Sequence, residues 1–301
     1  MPSRAHRSLI SAENAVAQQA NYHSDGWGIG YYLGEDAYLF RTSEGAATDE
    51  AFQRMGESLR SHTLLVHIRK ATVGRVQPIN SHPFRFGSWM FAHNGTLFGF
   101  EKLKPRLWAE ILPEYQRVLF GTTDSEHLFF FLLSEMVRVG ACRNGRCDSS
   151  IPLLAEAQQR ALSKVFTWAK ELGLEAPKAN YILTNGRVLF ARRAGLELYL
   201  TTQKRFCPDA LTCPEADKVC LEGIMPKLQI GGKERRCNHL LISSEPIGEN
   251  NIWEEIPEGA MVALSEDFRL SVYEKPAPFW VTWPPEVTKH TPRKDVISAD
   301  N

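Results

Sequence analysis

No cysteine occurs among the first 141 residues of this 301-residue chain; the six it has are Cys142, Cys147, Cys207, Cys213, Cys220 and Cys237. None forms a C-x-x-C pair, and the spacings, with few histidines between them, match no standard zinc pattern, so no metal site is assigned. The last four fall in a polar insertion around FCPDALTCPEADKVC, where ordinary reduced thiols are expected over a metal cluster. An excess of charge is also lacking: Lys plus Arg and Asp plus Glu number 35 each. That excludes the basic surplus of a nucleic-acid binder and leaves small molecules or other proteins as partners. No apolar run approaches the roughly 20 residues of a membrane span. The opening MPSRAHRS has no apolar signal-peptide core, and a cytoplasmic location is expected.

What is present is enough for a substantial core, since 43% of the residues are hydrophobic. Residues 5–20 carry apolar side chains at helical spacing (Leu9, Ile10, Ala12, Val16, Ala20), which predicts a helix. The segment NYHSDGWG (21–28) leads into a strand ending at Leu33. Its glycines, alternating with Trp27 and Ile29, suggest a backbone that something approaches closely. A turn at residues 34–36 precedes a second strand over 37–41, then a short helix over 48–59.

The stretch HPFRFGSWMFAHNG (82–95) organises the rest. Trp89 to Ala92 reads as a buried strand that halts at His93, and Asn94-Gly95 taken alone reads as a turn. Earlier, Thr63 to Val66 is a buried strand followed closely by Arg69. A fixed cation there needs an answering anion, either a structural ion-pair partner or the carboxylate of a ligand. Further on, helices are predicted over 101–112, from Thr123 or Asp124 as cap through Val137, and over 151–172. Asn185-Gly186 predicts a type I′ hairpin, with Asn185 and Gly186 central. Strands follow over 196–201, 240–244, 261–264 and 270–273. A single domain over 1–274 is expected, with a Pro-rich and then polar tail over 275–301.

Taken together, DGWG (25–28), HIRKAT (67–72), His82-Pro83, His93-Asn94-Gly95 and Thr123-Asp124-Ser125-Glu126 resemble, in this order, the class II glutamine amidotransferases. Ser244-Glu245-Pro246 and WEEIP (253–257) resemble the stand-alone members, which include γ-glutamyl hydrolases. The resemblance implies an α+β fold, the N-terminal-nucleophile hydrolase sandwich of two antiparallel sheets between helical layers. It implies that Asn94 and Gly95 form an oxyanion hole, that Arg69 and Asp124 take the α-carboxylate and α-ammonium of glutamine, and that Thr72, His93 and Trp27 lie beside the substrate. No cofactor is implied. The partner is glutamine or a γ-glutamyl small molecule, and an ammonia-accepting subunit, if used, is separate.

The departure is at the start. In the family a cysteine directly after the initiator Met becomes the first residue, and its own α-amine is the base. This chain reads Met1-Pro2-Ser3, and no later cysteine substitutes, because the amine must travel with the thiol. The full-length form is therefore expected to be an amidohydrolase with an upstream Met-Cys, and the chain beginning at Met1 to be inactive. The alternative is a γ-glutamyl-binding or partner-regulating pseudoenzyme.

Overall fold

The computed structural model describes residues 3–4, 7–143, 146–147, 150–203, 235–236 and 239–273. The Cys207 to Cys237 insertion and the 275–301 tail, both singled out in the sequence, lie outside the described residues.

Two antiparallel sheets face each other. The smaller has the order β2-β1-β3, from β1 (Trp27–Leu33), β2 (Asp36–Thr42) and β3 (Leu64–Ile68). The larger is seven-stranded. It runs from β4 (Phe84–Phe86) and β5 (Trp89–Thr96) through β6 (Lys178–Thr184) and β7 (Leu189–Arg192). It continues into β8 (Met261–Leu264) and β9 (Arg269–Tyr273), and ends at Arg235–Arg236. Met90 and Ala92 of β5 meet Tyr32, Ala37 and Leu65 between the sheets. Because alternate strand residues face opposite ways, Trp89 and Phe91 point to the other side, into the helices. The result is the α+β sandwich, helices outside and sheets within.

The helical layers follow from sequence pattern. Helix α1 (Glu50–Ser58) is capped by Asp49, whose carboxylate accepts from the Ala51 N–H at 2.8 Å, and it sets Phe52 against Trp27 of β1. On the large sheet lie α2 (Phe100–Glu110), α3 (Asp124–Arg138) and α4 (Ile151–Glu171). Helix α3 is buried all round through Met136, wedged between β5, α2 and α4. Its Glu135, with no exposed side-chain surface, is answered by Arg138 at 2.7 Å and by Lys164 of α4 at 3.1 Å. Among the described residues, no helix is long and apolar enough to cross a membrane.

Four expectations are corrected. The first helix is broken into a turn at Arg7–Ser11 and short helical pieces at Val16–Gln19 and Ala20–Tyr22. The break falls where Ala15 is extended and the Asn14 amide turns away to donate to the Pro246 carbonyl at 3.0 Å. The strand at Trp89 does not halt at His93 but continues to Thr96, paired throughout with β6. In the β6–β7 hairpin the Asn185 N–H reaches the Val188 carbonyl, so Gly186 and Arg187 are the central residues. Only Gly186 has positive φ, and the type I′ geometry is not formed. Finally, Cys142 and Cys147 are joined by a disulfide, which no sequence spacing pointed to.

Phe129 stacks on Phe91 at 5.4 Å and is fully buried at the centre of the helix–sheet layer. Phe129→Ala is expected to cost about 3–5 kcal/mol, read as a lowered midpoint in chemical denaturation with an unchanged slope.

Candidate active site

The site is built where three chain ends converge: the exit of β3, the last residues of β5 and the N-terminus of α3. At the exit of β3, the Arg69 N–H donates to the Gly26 carbonyl at 2.7 Å, and the Asp25 carboxylate accepts from the Ala71 N–H at 2.8 Å. The Arg69 side chain, only 3% exposed, donates to the carbonyls of Arg75 and Val73 at 3.1 Å and of Gly74 at 3.4 Å. Burial lowers its pKa, opposed by the nearby carboxylates of Asp25 and Asp124. Arg69 thus shapes the following loop through both terminal nitrogens, Nη1 and Nη2, while its Nε–H makes no hydrogen bond among the described residues.

On the facing strand, Asn94 donates from Nδ2 to Ser244 Oγ at 2.8 Å, and Gly95 follows. A side chain at Gly95 would drive its Cβ into the carbonyl of Lys178 on β6. That contact is why glycine sits inside a strand here. Thr96 donates to Thr72 Oγ1 at 3.3 Å, joining the β5 end to the Arg69 loop.

Helix α3 begins with a side-chain cap: Thr123 Oγ1 accepts from the Glu126 N–H at 3.2 Å. Asp124 is therefore the first helical residue and not the cap, which leaves its carboxylate free for other work. Oδ2 accepts from the Leu97 N–H at 2.8 Å and Oδ1 from the Ser125 N–H at 2.8 Å. The group is 3% exposed, and no salt bridge reaches it among the described residues.

Of the residues singled out in the sequence, Arg69, Thr72, His93, Asn94, Gly95 and Asp124 converge. Trp27 does not join them. Its ring is fully buried between Phe40 and Phe52, and its N–H donates to Asp49 at 2.9 Å, on the α1 side of the small sheet. Its neighbour Gly28 instead carries the close approach, since a Cβ there would overlap the His82 carbonyl oxygen. Sequence reasoning gave no role to Ser125 or to Asn80, whose amide bridges the Arg75 carbonyl and the Thr122 N–H. The only signal for Ser125 was its place after Asp124.

The family model for class-II glutamine amidotransferases matches residues 10–281. The chain belongs to that family. The chain is 24% identical over 258 residues to the probable glutamine amidotransferase DUG3 of Saccharomyces cerevisiae, spanning 81% of this chain and 70% of that one. Over 76 residues it is 36% identical to the γ-glutamyl-hercynylcysteine sulfoxide hydrolase of Mycobacterium tuberculosis, spanning 25% of this chain and 33% of that protein. Among solved structures, it resembles a glutamine aminotransferase class-II domain protein from Silicibacter pomeroyi with a TM-score of 0.54 at 19% identity, over 84% of this chain and 92% of that one. It also resembles the glutamine phosphoribosylpyrophosphate amidotransferase of B. subtilis, with a TM-score of 0.51 at 17% identity, covering 87% of this chain but 46% of that one. At these identities the structures establish the fold that the chain shares with them.

Behind the site, the rings of His67 and His82 lie 4.3 Å apart, His82 buried and His67 partly buried. His67 Nδ1 and both ring nitrogens of His82 are buried without a partner. Burial is the largest cause of their lowered pKa values, His67 falling to about 3, with the neighbouring imidazoles and Arg69 adding to it. Unfolded, both take up protons near the ordinary 6.5; folded, neither does. The native state thus binds fewer protons below pH 6.5, and stability drops as pH falls toward about 3, by about 1.4 kcal/mol per pH unit for each imidazole. Denaturation midpoints measured between pH 7.5 and 5 should show this fall, and His67→Gln should make it shallower.

Proposed function

We propose that this protein hydrolyses the γ-amide of glutamine or of a γ-glutamyl compound through an N-terminal cysteine thiol activated by its own α-amine. The observation that carries the reading is Asp124. A buried carboxylate with backbone donors on two sides and no bonded cation suits the α-ammonium of a zwitterionic ligand. Arg69, which the nearby Asp124 carboxylate favours in its charged form, supplies the complement for the α-carboxylate through its Nε–H.

Held by both ends, the substrate presents its γ-carbonyl towards Asn94 and Gly95. Attack by the thiol turns that carbonyl oxygen into an oxyanion. One Asn94 Nδ2 hydrogen is engaged by Ser244, and the other serves the oxyanion together with the Gly95 N–H. The thiol's proton passes to the α-amine and then to the departing ammonia or amine, and water resolves the thioester. Residues 1–141 contain no cysteine, so this chemistry requires an enzyme form that carries the Met-Cys start ahead of the described site. The second reading, a γ-glutamyl-binding or partner-regulating module, is favoured by one observation: Arg69 and Asn94 are already hydrogen-bonded inside the protein. Whether released ammonia passes to a separate subunit is a further question for the same enzyme form.

The 301-residue chain is expected to release no ammonia from glutamine, and a form with an N-terminal cysteine to release it. In that form, Arg69→Lys should raise KM by about ten- to hundredfold, because a single ammonium cannot hold the loop carbonyls and at the same time present an N–H to the carboxylate from the Nε position. Asp124→Asn should raise KM for glutamine while sparing N-acetylglutamine, which has no ammonium to pair. Unchanged KM in both, with only thermal midpoints lowered, would overturn the receptor.

A further inference from the structure

His93 is enclosed on β5, 2% exposed, and each of its ring nitrogens has one partner. Nε2 lies 3.1 Å from the carbonyl of Lys178, which only accepts, so Nε2 carries the hydrogen. In the neutral ring Nδ1 is then an acceptor, and the hydroxyl of Ser125, 2.8 Å away, donates to it. Ser125 has only one hydrogen. Its second contact, 3.3 Å to Asp124 Oδ1, is therefore left without a proton, in keeping with the longer distance. In this state Asp124 Oδ1 accepts only the Ser125 N–H and keeps an acceptor site open.

A proton on Nδ1 reverses the chain. His93 then donates to Ser125 Oγ, and the hydroxyl turns to donate to Asp124 Oδ1, where it competes with an ammonium for that oxygen. The titratable groups packed around His93 are Asp124 from α3, His67 from β3 and His82 from the loop before β4. The two histidines stay neutral, so Asp124 is the charge that His93 senses. Burial lowers the His93 pKa, with Asp124 and the Lys178 carbonyl opposing. The open state is the one present at neutral pH.

Resting on the Asp124 receptor proposed above, we infer that Ser125 is a positioning residue whose hydroxyl, turned by the proton state of His93, opens or closes Asp124 to ligands bearing a free α-amine. The device confers specificity as well as pH dependence: it acts on amines and leaves ligands without one unaffected. Protonation of His93 and amine binding at Asp124 oppose each other, so affinity changes by at most one proton's worth of linkage.

The test is calorimetric binding to the 301-residue protein between pH 8 and pH 5, with L-glutamine and with glutaramate, which is glutamine without its α-amine. Glutamine should bind more tightly at pH 8, and its Kd should rise by up to about tenfold per pH unit once His93 is protonated. The glutaramate Kd should stay flat. His93→Gln, which keeps a donor for Lys178 but cannot be charged, should abolish the rise. Ser125→Ala should flatten it without weakening binding at pH 8, and Ser125→Thr should restore it. If Ser125→Ala keeps the wild-type slope, or loses affinity at pH 8 with an unchanged thermal midpoint, the switch is overturned while the Asp124 receptor stands. If wild-type protein binds neither ligand, or binds both alike, the receptor falls and the switch with it.

Discussion

The pairing of β5 with β6 is the constraint on which the site depends. Its register sets His93 opposite Tyr181, Asn94 opposite Asn180 and Gly95 opposite Ala179. One acceptor, the Lys178 carbonyl, is pressed so close to Gly95 that no side chain fits there, and it also fixes the His93 tautomer. Backbone geometry and side-chain protonation are thereby set by a single strand contact. Asn180 anchors the partner strand from behind, its amide holding the carbonyls of Leu196 and Glu197 and the N–H of Ala194. A one-residue slip would turn every one of these side chains to the opposite face.

The helix side of the site is rigid for a different reason. Helix α3 is buried on all faces, so its first turn has little freedom to move, and the Thr123 cap fixes where that turn begins. Asp124 then bridges helix and strand by accepting from Leu97 just after β5. Carboxylates near a helix N-terminus are stabilised by the helix dipole, which helps to offset the cost of burial. The Asp124 carboxylate is thus held by packing and backbone donors, with no counter-ion bonded to it among the described residues. Arg69 likewise organises its own loop through carbonyl oxygens.

The resemblance read from five short motifs in order placed the chain in the family whose model matches residues 10–281. Burial patterns also located most elements. Apolar spacing found α3 and α4, and Asp49 and Thr123 are caps of the expected chemistry. Trp27 shows the limit of such reading. The resemblance set Trp27 beside the substrate, yet strand alternation sends its ring to the helix-covered face.

The sequence by itself determined the family, the sandwich of sheets and helices, and the identity of the polar residues that meet, since these rest on local pattern and motif order. It also determined the absence of a thiol before Cys142. Only the tertiary structure decided that Asn94-Gly95 lies inside a strand, because the partner that extends the strand arrives 85 residues later, as Lys178 reaches His93. Only the fold decided that Thr123 caps α3 and leaves Asp124 without a salt bridge among the described residues, and that Ser125 Oγ lies within 2.8 Å of His93 Nδ1. Those assignments depend on distances between groups far apart in the chain, and no local propensity encodes them.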